Sequence, residues 1–185
     1  MDNGAISYRR FLEGDDGGMV EIIKDYKDGL MLYLNSFLQN IHLAEDLTED
    51  TFVKLIARRP RFSEKSTFKT WLYAIGRNVA RDYLRKNAKH PIVSSEEAAA
   101  LIRDELDVAQ NYLQTERKIQ LHQALSRLNP EYRQILYLVY FEDFRNDQLA
   151  SILRKRKKQI ENLVYRAKLS LKSELEKEGF VYENL

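Results

Sequence analysis

The chain reads as all-α: two small helical domains joined by a linker, the C-terminal one a helix-turn-helix. Three observations carry this. Apolar residues recur at steps of three and four in segment after segment, the period of a single buried helix stripe. After Lys89 the character changes to His90-Pro91-Ile92-Val93-Ser94-Ser95, a poor helix sequence, followed by the acidic stretch Glu96 to Asp107. Near the C-terminus two helical patterns are separated only by Arg154-Lys155-Arg156, a turn short enough for a helix-turn-helix. The expected divisions are a domain over 1–89, a linker over 90–111 and a second domain over 112–185.

Composition narrows the function. A length of 185 residues fits one domain or two small ones, and 44% hydrophobic with 31% charged residues suits a soluble globular protein. The longest apolar run, Ile135 to Phe141, is seven residues, too short to span a bilayer, so no direct membrane insertion is expected. No apolar stretch follows a basic N-terminus, so no secretory signal is expected, and the chain is assigned to the cytoplasm. Without cysteine there is no disulfide or thiolate site, and His42, His90 and His122 lack ligand spacing, so no metal or cofactor is expected. With no nucleophile–base pair and no phosphate-binding glycine loop, neither an enzymatic activity nor a small-molecule substrate is expected. Net charge is only +2, but it is segregated. Arg154 to Lys168 carries seven Lys/Arg against Glu161 alone, whereas Glu45 to Asp50 carries four acids and no base. Such segregation points to one anionic and one cationic partner.

Residues 1–18 end in Glu13-Gly14-Asp15-Asp16-Gly17-Gly18, a loop-forming run that predicts a mobile N-terminus. From Met19 the pattern is helical through Val20, Ile23, Leu30, Tyr33, Leu34, Phe37, Leu38 and Ile41. Gly29 predicts a break, hence two short helices. The next helix is expected from about Leu43 to Arg58, burying Ala44, Leu47, Phe52, Leu55 and Ile56. Glu45/Glu49 and Asp46/Asp50 pair at i, i+4 on its exposed side, each pair costing about 0.2–0.5 kcal/mol. An acidic first turn that stabilises its own helix through the macrodipole, by about 0.3–1 kcal/mol per acid, accounts for these residues without a partner.

Pro60 opens a polar loop, Arg61, Phe62, Ser63, Glu64, Lys65, Ser66 and Thr67, before the next helix. In that helix Phe68, Trp71, Leu72, Ile75, Val79 and Tyr83 form the buried stripe. Arg77, Arg81 and Arg85 repeat at i, i+4 as a basic ridge, with Asn78 and Asp82 beside it. A basic helix next to a hydrogen-bonding loop suits a nucleic-acid strand. Periodicity alone favours an ordinary amphipathic helix with solvated arginines.

In the second domain Leu121, Ala124, Leu125 and Leu128 stripe one helix. Asn129-Pro130-Glu131 supplies an N-cap, a first-position proline and an acid in the first turn. Tyr132, Ile135, Leu136 and Val139 line the helix that follows. The last two run near Asn146–Leu153 and Lys157–Glu176. Arg156, Lys157 and Lys158 put cations at a helix start, where they oppose the macrodipole and no side chain is placed to satisfy the free amides. A phosphate at this terminus resolves both faults; exposed lysines that tolerate a small penalty are the other account.

Three motifs resemble one family. Phe68-x-x-Trp71-Leu72-x-x-Ile75-x-Arg77-Asn78-x-x-x-Asp82-Tyr83-Leu84-Arg85 resembles the segment with which extracytoplasmic-function sigma factors read the promoter −10 element. Ala44-Glu45-Asp46-Leu47-Thr48-Glu49-Asp50-Thr51-Phe52 is similar to that family's polymerase-binding motif. Gln159-Ile160-Glu161-Asn162-Leu163-Val164-Tyr165-Arg166-Ala167-Lys168 is similar to its −35 recognition helix. The order and approximate spacing agree, and the resemblance spans nearly the whole chain.

The resemblance implies an alternative sigma factor that binds core RNA polymerase and reads −35 duplex and melted −10 DNA. Its implied −10 contacts are Arg61, Phe62, Ser63, Lys65, Ser66, Thr67, Arg77, Asn78, Arg81 and Arg85. Its implied −35 contacts are Arg156, Lys157, Lys158, Gln159, Glu161, Asn162, Tyr165 and Arg166. Glu45, Asp46, Glu49, Asp50 and Phe52 are the implied polymerase contacts. Implied partners are core RNA polymerase (the clamp coiled coil of its largest subunit, and its flap), promoter DNA and an anti-sigma factor that holds the protein at the membrane. One departure stands out: Arg154-Lys155 replaces the glycine and apolar residue that relatives often carry in the turn. A stand-alone helix-turn-helix regulator explains 112–185 but leaves the acidic helix and the −10-like segment unused. A protein-binding module without a DNA role is the third class.

Overall fold

The structure is a computed structural model that describes residues 2–87 and 121–177, so the expected linker over 90–111 and the domain start at Tyr112 lie outside the described residues. Every regular element among the described residues is a helix: α1 (Asn3–Leu12), α2 (Gly17–Leu38), α3 (Ile41–Arg58), α4 (Phe68–Lys86), α5 (121–127), α6 (Pro130–Tyr140), α7 (Asn146–Leu153) and α8 (Lys157–Lys177).

The first helix corrects the expectation of a mobile N-terminus. Asp2 caps α1 by accepting from the Ala5 amide at 3.2 Å, and Tyr8 and Phe11 are buried. The polar run 13–18 is the turn after this helix, as its composition indicates. Gly29 does not break α2, which is continuous. Its lack of a side chain serves a close approach instead. A Cβ there would lie 2.6 Å from the Tyr73 hydroxyl and 2.9 Å from the Glu142 carboxylate. Gly76 plays the same part in α4, where a Cβ would stand 2.8 Å from Leu30.

Helix α3 starts at Ile41, with Asn40 as its cap accepting from the Leu43 amide at 3.0 Å. That start leaves no acid in the first turn, so dipole stabilisation, which fades beyond one turn, does little for Glu45 to Asp50. Thr48 and Thr51 are fully buried, each hydroxyl donating to the carbonyl four residues back (Ala44 and Leu47) at 2.7 Å, which satisfies them inside an apolar face. Ile56, expected in the core, is 44% exposed.

Helices α1 to α4 bury Ile22, Leu30, Leu34, Leu55, Phe68 and Leu72 against one another. Each such side chain contributes about 1.5–3 kcal/mol relative to exposure. In the C-terminal half Asn129 caps α6 as expected, accepting from the Tyr132 amide at 2.9 Å, with Pro130 at the start. Ile135, Leu136, Leu149, Ile152, Ile160 and Leu163 pack α6, α7 and α8 together. The two halves share one core cluster: α2 packs on α6, and α4 on α7.

Candidate nucleic-acid and polymerase surfaces

The acidic face of α3 is open. Asp46, Glu49 and Asp50 are exposed, and Lys27 on α2 lies 3.8 Å from Glu45 and 3.9 Å from Glu49. Asp46 and Asp50 make no ion pair among the described residues. Beside them on the helix, Val53 is 60% exposed. Phe52, by contrast, is 5% exposed and belongs to the core. Val53, which the sequence did not mark, and Ile56, expected in the core, are two exposed apolar side chains C-terminal to the acids on this helix.

The loop before α4 is mixed. Arg61, Ser63 and Lys65 are exposed. Phe62 folds back on Phe68 and Trp71, with ring centroids 5.8 and 5.2 Å away. Thr67 is the N-cap of α4, accepting from the Thr70 amide at 3.2 Å, and Ser66 makes only a 3.4 Å contact to the Thr67 carbonyl. Trp71 is half-buried among Tyr8, Phe62 and Phe68, as expected for a mainly structural residue.

The basic ridge is divided. Arg81 and Arg85 are exposed, Asn78 is half-buried, and Arg85 pairs with Asp82 at 3.2 Å. Arg77 is not on the open ridge: it is 9% exposed, and its Nε donates to Gln134 Oε1 at 2.6 Å. Tyr33 donates to the same oxygen at 2.8 Å. Burial holds the Arg77 pKa below its ordinary value, and neighbouring Arg81 and Arg154 push the same way. Its Nη1 is buried without a hydrogen-bond partner. The cause is a second buried side of α4 that periodicity did not mark: Tyr73, Gly76, Arg77 and Ala80 are covered as well as Phe68 and Leu72.

A polar cluster closes the seam between the halves. The Glu142 side chain is 9% exposed and accepts from Lys69 Nζ at 2.8 Å, the Tyr73 hydroxyl at 2.8 Å and the Tyr137 hydroxyl at 3.4 Å. Lys69 also donates to the Glu142 carbonyl at 3.1 Å and lies 5.0 Å over the Phe144 ring. Burial first, and Glu142 second, raise the Tyr73 hydroxyl pKa. Arg133 adds a bond from Nε to the Ser36 carbonyl at 2.8 Å, and its Nη1 reaches the Ser126 carbonyl at 3.0 Å and the Leu128 carbonyl. Lys69, Tyr73, Arg133 and Glu142 do not stand out in the sequence, because each is a single polar position with a partner in the other half of the chain.

The basic end of α8 is fully presented. Arg156, Lys157, Lys158, Gln159, Glu161, Asn162, Tyr165 and Arg166 are all exposed, Tyr165 by 64%, while Ile160, Leu163 and Ala167 hold the opposite face in the core. Two details correct the sequence reading. Gln159 Oε1 accepts from the Arg156 amide at 2.8 Å, so one backbone donor is satisfied within the chain. Arg154 adopts φ 53 and ψ 48 while its amide bonds the Ala150 carbonyl. An arginine thus makes the left-handed turn that glycine makes more cheaply, at a cost of about 1–2 kcal/mol. Lys155 then ties the turn to α6 through Glu131 at 2.9 Å.

Both halves of the chain match known proteins. Residues 22–90 match the family described as Sigma-70 region 2, and residues 118–171 match Sigma-70, region 4. The chain belongs to the sigma-70 family, in its extracytoplasmic-function group. It is 26% identical over 158 residues to the RNA polymerase sigma factor YlaC of Bacillus subtilis (strain 168), covering 85% of this chain and 91% of that one. The extracytoplasmic-function sigma factor SigM of the same organism is 28% identical over 153 residues, 83% of this chain and 92% of SigM. The solved sigma factor RpoE, in complex with the anti-sigma factor NepR from Bartonella quintana, shares the fold. Its TM-score is 0.63 at 22% identity, covering 84% of this chain and 95% of that one. As a sigma factor the protein directs transcription, with core RNA polymerase and promoter DNA as its partners. Among the described residues no helix is long and apolar enough to cross a membrane.

Proposed function

We propose that this sigma factor reads a −35 duplex with α8 and the unstacked −10 strand with α4 and its preceding loop, while α3 docks on the polymerase. The observation that carries the reading is the α8 face from Arg156 to Arg166, wholly exposed at the start of the second helix of a helix-turn-helix. Asn162 has the donor and acceptor pair that reads adenine, Gln159 offers its amide donor while its oxygen holds the Arg156 amide, Glu161 accepts from cytosine, and Lys157 and Lys158 address phosphates. Arg61, Ser63 and Lys65 with Asn78, Arg81 and Arg85 supply the single-strand surface. Phe62 supports it from below, and Ser66 and the exposed Thr67 lie at its edge.

Asp46, Glu49 and Asp50, flanked by Val53 and Ile56, form the docking face for the clamp coiled coil of the largest polymerase subunit, and the second domain meets the flap. Glu45, half-buried beside Lys27, lies at the rim of that face, and Phe52 packs beneath it. The domain division at 1–89, 90–111 and 112–185 follows from the same assignment. The protein acts in the cytoplasm and is not an enzyme. An anti-sigma partner fits the likeness to a relative solved in such a complex.

In the closed arrangement Arg77 is taken up by Gln134, so it meets a phosphate only after the two halves part. Charge reversal tests the assignment: Asp46→Lys with Asp50→Lys abolishes association with core polymerase and leaves binding to −35 duplex intact. Retained association refutes the α3 assignment, and an unaltered protein that binds duplex DNA without associating with core polymerase is a stand-alone regulator.

A further inference from the structure

The span matched to Sigma-70 region 2 begins at residue 22, so α1 lies outside it, yet three side chains from residues 2–9 hold the 60–67 loop. Tyr8, 1% exposed, donates its hydroxyl to the Pro60 carbonyl at 2.7 Å, and its ring lies 5.4 Å from Phe68 and 5.3 Å from Trp71. Asp2 serves two helices with one carboxylate. Besides capping α1 through Oδ1, it accepts the first amide of α4, Phe68 N, at 2.6 Å through Oδ2. That amide is one of the donors a helix start leaves free. Arg9 Nη2 meets Glu64 Oε1 at 2.6 Å, and Glu64 is the loop residue in the left-handed region, φ 56. Entry, apex and exit of the loop are each tied to α1. Among the described residues the loop's other side-chain bonds are those of Ser66 and Thr67.

We propose that α1 is a splint for base selection: Asp2, Tyr8 and Arg9 are positioning residues that fix the 60–67 loop in the shape that accepts one −10 base over others. The inference rests on the −10 reading given above. A loop ordered in advance does not lose its freedom on binding, and a fixed pocket rejects a wrong base that a pliant one accommodates. The splint therefore acts on discrimination, with the contacts themselves made by loop and α4 residues.

The test uses full-length protein with core polymerase on a promoter pool randomised across the −10 element, with the transcribed sequences counted. Tyr8→Phe keeps the ring and removes only the bond to Pro60. Arg9→Ala alters a side chain that is 60% exposed, so the core is untouched. Tyr8→Phe is expected to lower −10 base preference about three- to tenfold, the worth of one hydrogen bond, and Arg9→Ala about two- to fivefold, because its ion pair is exposed. Preference within the −35 element and association with polymerase stay at wild-type levels, and Arg9→Lys restores the preference. Wild-type −10 preference in both Tyr8→Phe and Arg9→Ala overturns the inference. So does a uniform loss across all sequences that tracks a lower melting temperature. A wild-type protein with no −10 preference overturns the functional reading itself, a result visible before any variant is made.

Discussion

Replacing Glu142 by alanine separates the seam between the halves from the packing within each. The carboxylate is nearly buried and takes Lys69 and Tyr73 at 2.8 Å each, with Tyr137 more distant. Its removal leaves the Tyr73 hydroxyl, on a residue 1% exposed, without its acceptor, which costs about 1–3 kcal/mol. Loss of the ion pair adds less than the roughly 3–5 kcal/mol of a fully buried pair, because the Lys69 side chain is 34% exposed, can rehydrate and keeps its carbonyl bond. The sum is about 2–4 kcal/mol, borne by the closed arrangement, and it raises the open population roughly 30- to 1,000-fold. The chain has no cysteine, so single cysteines introduced at Arg58 and Lys172, one in each half, take fluorophores cleanly. Energy transfer between them falls in Glu142→Ala, while helical circular dichroism is retained. Unchanged transfer together with a stability change under about 0.5 kcal/mol would show that the carboxylate does not hold the seam.

Three further outcomes are expected. Asn162→Ala weakens cognate −35 binding by about 1–3 kcal/mol and relaxes one base position; an equal loss on every duplex contradicts base reading. Lys158→Ala weakens binding on all sequences and lowers the salt slope by about one, and an unchanged slope removes it from the phosphate contacts. In alkali, burial keeps the Tyr8, Tyr33, Tyr73 and Tyr137 hydroxyls protonated beyond their ordinary value of 10.0, Tyr8 up to about 12. Their folded pKa values exceed the unfolded one, so this stabilisation is complete below pH 10; the Tyr8 share is lost as pH rises through about 12, and the shares of the other three at higher pH still. Tyrosinate absorbance from these residues should appear only as helical signal is lost. All eleven tyrosines titrating together near pH 10 with the helices intact would contradict that.

The elements that sequence periodicity located well were those whose apolar stripe meets helices nearby in the chain. Asn129-Pro130, the turn at 154–156 and the core face of α8 needed no distant partner to be read. Misreadings arose where a residue answers to something far off. Gly29 looks like a break, but the space it leaves is filled by Tyr73 and Glu142. Arg77 shares the period of Arg81 and Arg85, and only the packing of α6 and α7 on this side separates it from them. Helix α1 was hidden by the polar run that follows it, although Asp2, Tyr8 and Phe11 carry its cap and buried face. Gln159, read as a base contact, also closes its own helix start at the Arg156 amide. The candidate surfaces were legible as charge and spacing; which members of each are free to meet a partner was decided by burial.

Transcription in vitro is the decisive measurement of promoter-directed initiation by this protein. The protein is added to bacterial core polymerase on fragmented genomic DNA of its source, and start sites are mapped. Discrete starts that share upstream elements near −10 and −35 are expected of a sigma factor with these surfaces. No starts, with the protein still binding duplex fragments by itself, would contradict that role.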